Sequence, residues 1–170
     1  MRKILKHLIS IIIAIIIVLL IQAFVITGSV VKDNTMSPNL KENDRIFVNK
    51  IKPTFDLLDN NDIIMYRNGD DIQYSRIIGK PGQSIKGGKL IRDDRQVDEP
   101  FTQNSIENLS LRDIKNSESD IIPPNAYFVL NDQRTNKHDS RILGYIKKED
   151  IIGNVSMRYY PFKKFTVDFN

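Results

Sequence analysis

The chain contains no cysteine. That excludes disulfides, thiolate metal sites and a cysteine nucleophile. It leaves the compartment open, because exported proteins often lack cysteine too. Tryptophan is absent as well, and there are only two histidines. No His/Glu pair stands at metal-ligand spacing and no glycine-rich phosphate loop is present, so neither a metal nor a nucleotide cofactor is expected. Lys/Arg blocks interleaved with aromatics are also missing, which argues against a nucleic-acid partner. The formal charge of +4 hides an asymmetry. Arg2, Lys3 and Lys6 crowd the N-terminus, and the 22 basic and 21 acidic residues left beyond them nearly balance. The basic pI therefore belongs to the N-terminus and marks no face for nucleic acid.

What the chain does have is one long apolar run. Leu8 to Ile26 reads LISIIIAIIIVLLIQAFVI, with Ser10 and Gln22 as its polar interruptions. At about 1.5 Å per residue such a helix matches the roughly 30 Å hydrocarbon core of a bilayer. Residues 1–7 are expected in the cytoplasm, because the short N-terminal flank carries the positive charge. A cleaved signal peptide shares the charged start and apolar middle. Its apolar region is usually shorter, about 7–15 residues, and a small-x-small cleavage site is poorly formed here. A buried core helix is rarely so uniformly apolar. The expectation is a transmembrane anchor over 8–26 and one outer domain over 27–170, a modest size for 170 residues in all.

Beyond the run the helical pattern stops. TGSVV, RIFVNKI (45–51), DIIMYR (62–67), YSRIIG (74–79), AYFVLND (126–132), ILGYI and IIGNVSMRYY read as short strands. NGDD between the third and fourth is a hairpin turn, and Pro81–Gly82 and Gly87–Gly88 are turn punctuation. Residues 102–120 are polar and weakly patterned, which suggests a surface excursion. The fold class is mainly β: one N-terminal transmembrane helix, then antiparallel sheets.

Four segments stand out: DNTMSPNLKENDRIFVNK (33–50), YSRIIGKPGQSI (74–85), GKLIRDDRQVDEPF (88–101) and IPPNAYFVLNDQRTNKHDSRILGYI (122–146). Taken singly, a threonine in a turn is usually a local hydrogen-bonding residue, and a mixed-charge loop is usually solvated. In this order behind an anchor they resemble type I signal peptidases, membrane-anchored serine–lysine proteases. The family pattern runs G-x-S-M-x-P-T-L-x-x-G-D, then Y-x-K-R-V-I-G-x-P-G-D, then G-D-N-R-x-N-S-x-D-S-R-x-x-G. Met36, Pro38, Leu40 and Asp44 match the first box. Tyr74, Arg76, Ile78, Gly79, Pro81 and Gly82 match the second. Asp132, Arg134, Asn136, Asp139, Ser140, Arg141 and Gly144 match the third.

The departures fall on the chemistry the resemblance implies. Thr35 stands at the nucleophilic serine and Ser75 at the general-base lysine. A hydroxyl needs a base near neutral pH, and serine supplies no useful basicity. Threonine's extra methyl also restricts χ1 and crowds the attack path. Lys137 replaces a serine that supports the lysine, and Asp33 replaces a small residue beside the oxyanion hole. A carboxylate pointing inward there would repel an oxyanion. Lys137, Lys32, Lys80 and His138 are the candidate substitute bases. The implied reading is a catalytically inactive homologue, with Asp132, Arg134, Asp139 and Arg141 bracing the old active-site region. Such a protein can still bind secretory preproteins or an active paralogue. The alternatives are an atypical protease using Thr35 with a substitute base, and a membrane-tethered β interaction domain.

Overall fold

A computed structural model describes residues 2–88, 90–102, 106–115, 117 and 119–169. Helix α1 (Arg2–Phe24) carries the apolar run. Its segment Ile4–Phe24 has a mean hydropathy of 3.0 and buries nothing against the rest of the chain, so it is long and apolar enough to cross a membrane. Ser10 returns its hydroxyl to the Lys6 carbonyl at 3.0 Å, which hides its polarity within the helix. The helix stops at Phe24, two residues short of the expected limit, and Ile26 already belongs to a strand.

In chain order there follow β1 (Ile26–Val30), β2 (Arg45–Asn49), α2 (Ile51–Thr54), β3 (Ile63–Asn68), β4 (Asp71–Gly79) and β5 (Ile85–Gly88). Then come β6 (Ile91–Arg92), β7 (Arg95–Gln96), β8 (Ile106–Ser110), β9 (Ala126–Leu130), α3 (Ser140–Leu143), β10 (Ile146–Lys147) and β11 (Ile151–Tyr160). All pairings are antiparallel. One sheet has seven strands in the order β1-β2-β11-β3-β4-β9-β10, and the other has four, β7-β6-β5-β8. The β3–β4 hairpin turns at Gly69 with φ +62°, as NGDD predicts.

Three expectations need correction. Residues 102–120 are more than a surface excursion. β8 pairs with β5, and Leu111 and Ile114 are buried in a core; residues 103–105, 116 and 118 lie outside the described residues. ILGYI is not one strand. The Asp139 carboxylate caps α3 by accepting the Arg141 N–H, and Gly144 at φ +86° ends the helix, so only Ile146 and Lys147 form a strand. Gly87 and Gly88 lie in β5 rather than in a turn.

Strand alternation sorts the core onto the two faces of the larger sheet. Ile64, Tyr66, Ile77, Tyr127 and Val129 fill one face. On the other, Met36, Leu40, Ile63, Met65 and Tyr74 form one cluster, while Ile78, Phe128, Leu130 and Phe101 form a second against the smaller sheet. Arg76 lies on β4 between Tyr74 and Ile78, and thus at the seam between these two clusters. Ser75, its neighbour, points to the opposite face with Ile77.

Candidate active site

The Arg76 guanidinium is fully buried, which demands a partner. It donates from Nε to Asp132 Oδ1 at 2.8 Å and from Nη2 to Asp132 Oδ2 at 2.7 Å. Its third edge donates to the Asn61 carbonyl at 2.8 Å, and its plane stacks 4.1 Å from the Phe101 ring centroid. Asn39 adds a donor to Asp132 Oδ2 at 2.7 Å, so the first box touches the third through that carboxylate. Both charges are therefore paired and fully hydrogen-bonded, the condition under which a buried ion pair is tolerable.

Ser75 is equally buried, on the other side of the sheet. Its hydroxyl donates to Asn131 Oδ1 at 2.8 Å and lies 3.2 Å from the Tyr66 hydroxyl, which in turn donates to Gln73 Oε1 at 3.2 Å. Asn131 Nδ2 donates onward to the carbonyls of His138 (3.3 Å) and Asn136 (3.4 Å). Burial pushes the Tyr66 phenol up to about 12; the Ser75 contact works against that, and the charges of Asp139 and Asp33 add to it. No member of this network accepts a proton near neutral pH. Asn131 went unnoticed in the sequence. The signal for it is its place at the first glycine of G-D-N-R, where no side chain would compete with a long one at position 75.

Thr35 is half-buried, and Asp33 occupies it twice. Asp33 Oδ1 accepts the Thr35 backbone N–H at 3.0 Å and its hydroxyl at 2.6 Å. The carboxylate thus turns inward toward the threonine. A nucleophile's own backbone N–H is a common oxyanion donor in acyl transfer. Here that donor is taken, and a negative charge stands against it. The Thr35 carbonyl accepts the Gln133 N–H at 3.0 Å, which fixes the turn to the third box. Met36, next in sequence, is completely buried and anchors the turn from beneath.

Arg134 donates to the Asn131 carbonyl at 2.8 Å and pairs with Glu99. Burial pushes Glu99 up and Arg134 down, each against the pull of its partner. Asp139 caps α3, accepts the Asn131 N–H at 2.9 Å, and holds Arg141 from both oxygens at 2.8 and 2.7 Å. Arg141 also reaches the carbonyls of Arg134 and Asn136. The structure therefore brings together Asp33, Thr35 and Met36 on one turn and Arg76, Asp132, Arg134, Asp139 and Arg141 around the next loop. Lys32, Lys137 and His138 are exposed, whereas Ser75 is fully buried. Lys80 pairs with Asp59 at 3.5 Å. Among the described residues no group of three or more His, Cys, Asp or Glu is arranged to hold a metal.

The family model for signal peptidase, peptidase S26, matches residues 4–160. An inactive signal peptidase IA of Staphylococcus aureus (strain COL) is 59% identical over 172 residues, covering 99% of each chain. Another bearing that name, from Staphylococcus aureus strain Mu50, is 56% identical with the same coverage. A signal peptidase IB of Staphylococcus aureus (strain MRSA252) is 31% identical over 183 residues, covering 99% of this chain and 96% of the relative. Among solved structures, a signal peptidase I from Enterococcus faecalis V583 superposes with a TM-score of 0.51 at 26% identity, covering 57% of this chain and 95% of the other.

Proposed function

The chain belongs to the peptidase S26 family of signal peptidases, and from that premise we propose that it is a catalytically inactive member whose site binds without cutting. Thr35 and Ser75 are taken as the nucleophile and base positions. The observation that carries the reading is the pair of contacts from Asp33 Oδ1 to the Thr35 hydroxyl and N–H. The Asp33 carboxylate sets a negative charge against the place where an oxyanion would develop beside Thr35. It also spends the donor that an oxyanion would need. Ser75 donates its own proton to Asn131 and cannot accept one in return along that bond. The near relatives named inactive agree with this chemistry.

Binding has separate support. β1 is the edge strand of the larger sheet and leads within five residues into the Thr35 turn. An extended peptide added to that edge would pass Thr35, the mode by which open strands recognise chain segments. In this reading α1 anchors the chain with its basic N-terminus in the cytoplasm and the β domain outside, and the bound chain is a secretory preprotein or an active paralogue. Purified full-length protein is expected to leave a membrane-inserted preprotein uncut and to crosslink to it near β1. Cleavage above blank that disappears in Thr35→Ala would overturn the inactive reading. Failure to crosslink would overturn the binding one.

A further inference from the structure

A cleft of about 930 Å³ opens where α1 meets the β domain, and none of its lining residues belongs to the Thr35, Ser75 or Asp132 groups. Ala23 and Phe24, the last residues of α1, form one wall. Lys50, Lys115, Lys147 and Lys148 surround it, with Glu149 the acidic residue among its described lining. Two of these cations are committed. Lys50 donates to the Ala23 carbonyl at 2.9 Å and the Gln22 carbonyl at 3.4 Å, at the negative end of α1. Lys148 pairs with Asp56. The other two are open to an anion. Lys147 meets Glu149 at 3.4 Å with both side chains at least 70% exposed, a pair too solvated to hold it. Lys115 is exposed and has no acidic partner among the described residues.

Phe24 on the wall is 71% exposed, and just beyond α2 the exposed Phe55 (68%) and Leu57 (54%) flank Asp56, the partner of Lys148. Cations beside exposed apolar groups, at the end of an apolar helix, suit a molecule with an anionic head and greasy tails. We propose that this cleft holds the headgroup of an anionic phospholipid from the leaflet in which α1 ends. The phosphate faces Lys115 and Lys147, and the acyl chains leave past Phe24 along α1. This rests on the reading of α1 as a membrane span. The cleft is far larger than a lone phosphate requires, and its cationic walls disfavour a headgroup that carries its own amine.

The test uses the full chain in phosphatidylcholine proteoliposomes doped with photoactivatable phosphatidylglycerol. Labelling is expected on peptides lining the cleft and is expected to fall by about tenfold or more in Lys115→Ala/Lys147→Ala, two surface changes whose melting temperature should match the parent. Photoactivatable phosphatidylcholine should label the cleft only at background. Labelling unchanged by the lysine substitutions overturns the site, as does labelling concentrated elsewhere on the β domain. Labelling abolished by inorganic phosphate means a small-anion site and overturns the lipid. Alkaline carbonate extraction separates the two readings: a chain retained in membranes yet unlabelled refutes the cleft alone, whereas a chain released refutes the span.

Discussion

Reverting Ser75 to lysine by itself should unfold the site, not revive it. Ser75 has no exposed surface, and its hydroxyl is bonded to the Asn131 amide at 2.8 Å. A lysine side chain at 75 must displace that amide. Overpacking of this kind costs about 1–3 kcal/mol, and stripping the buried Asn131 oxygen of its donor costs about 1–3 kcal/mol more. The sum, roughly 2–6 kcal/mol, is a large share of the ~5–15 kcal/mol by which domains are stable. Asn131→Gly alone also destabilises, because it strands Ser75 and leaves a void. Combined, the two changes relieve each other: the lysine fills the space that the amide vacates. The expected coupling is about 1–3 kcal/mol in a double-mutant cycle. Thermal unfolding of the detergent-solubilised full chain reads it, at about 2–4 °C per kcal/mol for a protein of this size. Losses in Ser75→Lys/Asn131→Gly that equal the sum of the single losses within ~0.5 kcal/mol would refute the idea that Asn131 replaces a lysine's volume. The same background tests the chemistry. Adding Thr35→Ser and Asp33→Ser should yield preprotein cleavage, while retaining Asp33 should hold the rate down by about 10²–10³, the effect of one lost oxyanion donor.

Two further outcomes follow from the buried polar groups. Arg76→Met leaves the Asp132 carboxylate buried without its cation and should cost about 3–5 kcal/mol in urea or thermal unfolding, with part of the loss recovered by adding Asp132→Asn; a loss below ~1 kcal/mol would mean that water reaches the pair. Tyr66 is raised from 10.0 to about 12 chiefly by burial, so the folded chain keeps a proton that the unfolded chain releases first. Its contribution, about 2–3 kcal/mol, is present below pH 10 and is lost as pH rises toward 12. Tyrosinate absorbance should show a late step that Tyr66→Phe removes, and ionisation near pH 10 would refute the assignment.

Much of the fold was legible because alternation and turns are local signals. DIIMYR and YSRIIG around NGDD could hardly be anything but the β3–β4 hairpin. The failures arose where a tertiary partner decides the outcome. β8 has no strong pattern of its own and exists because β5 offers it an edge. ILGYI has strand composition, but the Asp139 cap starts a helix there and Gly144 ends it. At the site, the residue types at 35 and 75 could be read directly, and so could the charged pairs around 132–141. The direction of Asp33 could not, since the sequence is the same whether an aspartate two residues before a threonine faces solvent or turns back on it. Asn131 was hidden for the same reason: its significance is a contact to Ser75 across 56 residues of chain.

That contact also bears on the proposed assignment of Ser75 to the base position. Loss of a buried lysine with no further change would leave an empty pocket and a stranded hydroxyl, each costly in a close-packed interior. Among the described residues, the buried side-chain atoms lacking a partner are Asn60 Oδ1, Asn61 Oδ1, Arg92 Nη2, Arg134 Nε and Asn154 Oδ1. None belongs to Tyr66, Ser75 or Asn131. The Tyr66–Ser75–Asn131 network is hydrogen-bonded throughout, and the neighbouring Arg76–Asp132 and Asp139–Arg141 pairs have short, bidentate geometry. A buried ion pair adds little net stability over an apolar substitute, but losing one partner alone is costly, so each pair resists piecemeal loss. Around Asp132 the network also fixes the Thr35 turn and the loop after β9 against each other, through Asn39 and the Gln133 N–H, and the proposed binding depends on that fixed surface.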